Sequence, residues 1–83
     1  MTDHHPFYDS HKFKTLEESV RLLVHGLFAP ADQCSYGSCE INEKGYEFWV
    51  NFYYSFENGQ QLTVRCDLEY VGQCASLKQI NFL

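Results

Sequence analysis

Few residues in this 83-residue chain have types and spacings that could do chemistry. Cys34 and Cys39 have four residues between them, and Cys66 and Cys74 have seven. Structural zinc sites use knuckles with roughly two to four intervening residues, so the first pair fits loosely and the second does not. Four structural thiols are the expected state; a zinc-stabilised module of Cys34, Cys39, Cys66 and Cys74 and a disulfide are the alternatives. Cys34 lies in a stretch of small and polar residues and is expected to be the exposed one. His4, His5 and His11, with Asp3 and Asp9, have the composition of a metal-capable arm. A solvated terminus has the same composition, and that is the reading adopted. No metal and no cofactor is therefore expected.

Catalytic patterns are absent: the chain has no glycine-rich phosphate loop, no HExxH and no nucleophile elbow. Glu47 and Glu69 come out opposite each other on neighbouring strands, and paired carboxylates can do acid–base work. On an open sheet without a cleft they lack the enclosure that such work needs, so an enzyme is not expected.

The strands that place these carboxylates are legible. Tyr46 to Phe56 holds seven aromatic residues in eleven positions, sorted by parity. Tyr46, Phe48, Val50, Phe52, Tyr54 and Phe56 form one side; Glu47, Trp49, Asn51, Tyr53 and Ser55 form the other. Period-two sorting is the pattern of a strand with one buried face. Gln61 to Tyr70 repeats it, with even positions apolar and odd positions polar. A two-residue Asn58-Gly59 turn would set Tyr54 against Thr63 and Phe52 against Arg65, mixing the faces. A three-residue Glu57-Asn58-Gly59 loop instead pairs Tyr54 with Leu62, Phe52 with Val64, Val50 with Cys66, Phe48 with Leu68 and Tyr46 with Tyr70. That register is predicted. It opposes Glu47, Trp49, Asn51, Tyr53 and Ser55 to Glu69, Asp67, Arg65, Thr63 and Gln61.

The remaining elements follow from local signals. Thr15-Leu16-Glu17-Glu18 reads as a capping box opening a helix. Leu16, Val20, Leu23, Val24 and Leu27 make its apolar stripe, and Pro30 ends it near Phe28. Leu22 and His25 fall off that stripe; His25 reads as surface, and the Phe7-Tyr8 segment is expected to fold over Leu22. Cys39-Glu40-Ile41 is a short strand before an Asn42-to-Gly45 turn, which would set Ile41 against Tyr46 and Cys39 against Phe48. Ser76 to Leu83 is a last strand with Ile80 and Phe82 inward. Residues 1–14 form a polar N-terminal arm and residues 15–83 a single α+β domain. The expected architecture is one N-terminal amphipathic helix on a twisted antiparallel meander of three to four strands.

Composition narrows the partners. The net charge is −5, and only six Lys and Arg are spread along the chain, so direct nucleic-acid binding is not expected. No apolar run reaches the ~18 residues of a membrane span. The N-terminus carries neither the basic nor the apolar region of a secretory signal, so a cytoplasmic, reducing setting is expected. What stands out is the outer sheet face: Trp49 and Tyr53 ringed by Glu47, Asp67, Glu69 and Arg65. Trp, Tyr and Arg are the types over-represented at binding hot spots. The expected function is a small, acidic, non-enzymatic binding protein. It would dock this face on another protein, one with a basic or nucleic-acid-binding surface, or on a second copy of itself. No family motif is present. The profile of size and charge is similar in kind to phage-encoded inhibitors and other small regulatory proteins.

Overall fold

The computed structural model describes residues 5–83; Asp3 and His4 of the histidine arm lie outside the described residues. One helix, α1 (His11–Leu27), precedes four strands: β1 (Cys34–Lys44), β2 (Glu47–Phe56), β3 (Gln61–Val71) and β4 (Cys74–Phe82). The strands form one antiparallel sheet in sequence order, a meander with α1 on one side. A short 3-10 turn, Pro6–Asp9, leads into the helix.

The central hairpin has the predicted register. Tyr54 pairs with Leu62, Phe52 with Val64, Val50 with Cys66 and Phe48 with Leu68. The Phe56 amide donates to the Gln60 carbonyl at 2.8 Å, closing a loop of Glu57, Asn58 and Gly59. Gly59 takes φ +92°, where a side chain would be strained. The core is Phe48, Val50, Phe52 and Tyr54 from β2, with Leu62, Val64, Cys66 and Leu68 from β3. Burying four large side chains from each central strand is the main reason this small chain folds.

The helix departs from its local signals. It begins five residues early, with Ser10 in place of Thr15 as the N-cap, and the Ser10 hydroxyl accepts from the Phe13 amide at 3.1 Å. Thr15 is inside the helix and donates to the His11 carbonyl at 3.1 Å, so the capping box does not form. Tertiary packing overrides it. Phe13 meets Phe7 edge-on at 5.9 Å and stacks on Phe52 at 6.1 Å, and helical geometry at residue 13 is what aims it there. The buried row becomes Phe13, Leu16, Val20 and Val24. Leu23 and Leu27, expected on the stripe, are turned onto an exposed flank. Leu22 is 62% exposed; Phe7 is buried in the core and does not cover it.

The edges of the sheet also differ from expectation. Only Gly45 and Tyr46 separate β1 from β2, so Ile41 faces Val50 and Cys39 faces Phe52, four residues from the expected partners. A shift of four preserves parity, so both still point to the helix side. Tyr46, expected in the core, stands exposed at the turn, while Tyr70 packs its ring against Phe48 at 5.0 Å. A bulge at Gly37 shifts the β1 register so that Ser38 faces Tyr53 and Tyr36 faces Tyr54, and a second at Lys78 shifts β4 so that Asp67 faces Gln79 and Leu68 faces Leu77. Ile80 and Phe82 are inward, opposite Cys66 and Val64.

All four cysteines are free thiols. Cys34, expected to be exposed, is buried, because β1 begins at that residue and pairs it with Phe56; Cys74 is the exposed one. Burial raises the Cys34 thiol pKa and pushes that of Cys66 up to about 12. Strand β2 separates Cys39 from Cys66.

Candidate interaction face on the open side of the sheet

Strand pairing lays the outer face out in rows. One row runs Asn42, Trp49, Asp67 and Gln79; the next runs Glu40, Asn51, Arg65 and Asn81. Lys44, Glu47, Glu69 and Ser76 form a third, and Ser38, Tyr53 and Thr63 a fourth. Alternation along the strands puts every one of these side chains opposite the face that α1 covers.

Trp49 and Tyr53 are half-buried at the centre, and each is tied to neighbours. The Arg65 guanidinium lies over the Trp49 ring, 4.5 Å from its centroid, a cation–π contact. Arg65 Nε also donates to Asp67 Oδ1 at 2.9 Å, and Asn81 donates to the other Asp67 oxygen at 3.4 Å. The Tyr53 hydroxyl donates to Glu40 Oε1 at 3.4 Å, which also accepts from Asn42 at 3.0 Å. Between the two aromatics, the Asn51 side-chain oxygen is buried and accepts no hydrogen bond from the described residues.

Glu47 and Glu69 do stand opposite each other, and a residue absent from the sequence reading joins them. Lys78 Nζ donates to Glu47 at 2.9 Å and lies 3.8 Å from Glu69. Its pKa is raised, first by the hydrogen bond it donates to Glu47. The bulge of β4 is what brings it there. Lys78 shares the parity of Ile80 and Phe82, so regular pairing would have set an ammonium among apolar groups. A lysine at an inward position was the available signal for that bulge.

Trp49, Arg65, Asp67, Glu47 and Lys78 border a shallow depression of about 270 Å³. With all four strands counted, the face carries Glu40, Glu47, Asp67 and Glu69 against Lys44, Arg65 and Lys78. Four carboxylates against three cations make it nearly balanced, where two strands read alone look acidic. Most of the net charge of −5 therefore lies on other surfaces.

Elsewhere, His5 accepts from the Phe7 amide at 3.2 Å through Nδ1, and its Nε2 lies 3.1 Å from Glu43. His25 is half-buried, with Nδ1 3.2 Å from the Ala29 carbonyl. Among the described residues no three His, Cys, Asp or Glu side chains converge in a group that could hold a metal ion. No helix among them is long and apolar enough to cross a membrane. Neither protein-family models, nor curated proteins, nor solved structures give a match to this chain.

Proposed function

We propose that this chain is a small, non-enzymatic binding protein of inhibitor-like kind, which docks the open face of its sheet on another protein. The observation that carries the reading is the Trp49–Arg65 stack at 4.5 Å, set at the centre of the sheet face that α1 leaves uncovered. A Trp, an Arg and a Tyr inside a polar rim have the composition and layout of an interface core. Glu47, Asp67 and Glu69 belong to that rim and are already engaged by Lys78, Arg65 and Asn81, so they fix register and orientation.

The partner is a protein with a basic surface, such as the nucleic-acid-binding surface of a larger machine. The charge of −5 steers the encounter over distance, while the nearly balanced face does the anchoring. Affinity capture from the native host, followed by sizing of the complex, tests this. Wild-type chain retains the partner, whereas Trp49→Ala and Arg65→Ala fold normally and retain at most a tenth as much. Equal capture by folded Trp49→Ala would refute the proposal.

A further inference from the structure

The opposite side of the domain carries a second, unrelated surface. Strand β4 is an outer strand of the sheet, and a groove of about 210 Å³ runs between it and α1, lined by Leu16, Ser19, Leu68, Leu77 and Ile80 with Lys12 and Thr15 at one end. Helical spacing continues that flank through Leu23 and Leu27. At its end Phe28 packs on Phe82 at 5.4 Å. Leu27 is 64% exposed, Leu77 44% and Phe82 40%.

The backbone of β4 is equally open. Leu83 and Thr63 exchange both backbone hydrogen bonds, at 2.8 and 3.5 Å. Antiparallel alternation then points the N–H and C=O groups of Ile80 and Phe82 away from β3, toward the free edge. Edge strands are ordinarily guarded by charge, and β1 carries Glu40, Glu43 and Lys44. The one charge of β4, Lys78, is drawn over the outer face to Glu47 and Glu69.

We infer that a second copy of this chain pairs antiparallel along β4, joining two sheets into one of eight strands. A two-fold axis at Asn81 sets Ile80 opposite Phe82 of the other copy, and the reverse. All four outward backbone groups of each chain are then paired, and both side-chain sets stay on the helix side. On the helix side, Leu23, Leu27, Phe28, Leu77 and Phe82 expose on the order of 450 Å², about half the ~800 Å² per partner of a standard interface, and the edge hydrogen bonds add to it. Charge selects the occupant. Neither β4 nor the row of Leu16, Ser19, Leu23 and Leu27 contains a carboxylate side chain. Two chains of charge −5 can meet there without opposing acids, and a basic partner would find nothing to pair with.

Analytical ultracentrifugation tests the inference. Wild-type chain sediments at twice 9.7 kDa at micromolar concentration, and Leu27→Lys and Phe82→Glu, checked for fold by circular dichroism, sediment as monomers. Trp49→Ala remains dimeric. Hydrogen exchange of the Ile80 and Phe82 amides slows at least tenfold as concentration rises through the dissociation constant. A wild-type monomer at millimolar concentration overturns the inference. So does a dimer in which those two amides exchange freely, or one that survives in both folded variants.

Discussion

Tyr54→Phe should stabilise this protein. Tyr54 is 1% exposed, and its hydroxyl has no hydrogen-bond partner among the described residues. Its ring stacks on Tyr36 at 5.2 Å, a contact that phenylalanine keeps. Removing an unsatisfied buried hydroxyl recovers its desolvation cost, about 1–2 kcal/mol when the shape is retained. In a domain of this size that raises Tm by about 5–10 °C. A second signature lies in the alkaline limb. Burial, and next the neighbouring Cys34 thiol, push the Tyr54 pKa from 10.0 to about 12. The fold therefore prefers the neutral phenol. Its contribution is complete below pH 10 and is lost as pH rises toward about 12. Urea titrations of both chains across that range report the difference directly, because other titrating groups cancel between them. A variant that is less stable at neutral pH would show that the hydroxyl is satisfied. Identical alkaline slopes would show that Tyr54 does not stay neutral in the fold.

Other outcomes follow from the same geometry. Phe13→Ala costs about 3–5 kcal/mol by urea denaturation, because Phe13 is core, whereas Leu22→Lys changes stability by less than about 0.5 kcal/mol. Cys66 is buried as a neutral thiol with its pKa moved from 9.0 to about 12, so it contributes fully below pH 9 and progressively less up to about 12; Cys66→Ala removes that part of the alkaline loss. A thiol reagent modifies Cys74 in the native protein within seconds, while Cys34 and Cys66 react only on unfolding, as mass mapping of the labelled sites will show. Lys78→Ala leaves Glu47 and Glu69 facing each other without their shared cation; stability falls, and falls less at high salt, as thermal melts in a salt series will measure.

The period-two alternation from Tyr46 to Phe56 and from Gln61 to Tyr70 determined the central hairpin, its three-residue loop and the identity of both sheet faces. A register error of one residue there would bury polar groups, so the pattern admits one solution. It also sorted Trp49, Tyr53, Glu47, Asp67, Glu69 and Arg65 onto one open face. Tertiary structure decided what no local pattern holds. The helix starts at Ser10 because Phe13 is worth more against Phe7 and Phe52 than the capping box at Thr15. The same packing rotates Leu23 and Leu27 outward. The bulge at Lys78 turns two facing carboxylates into a three-membered ion cluster, and with Lys44 and Glu40 from β1 it nearly balances the charge of the face. Burial of Cys34 likewise depends on where β1 begins. Pairing within two adjacent strands is a local problem with a steep penalty for error. Helix rotation, bulges and edge contacts trade smaller energies between distant residues, and only the assembled sheet and helix set their balance.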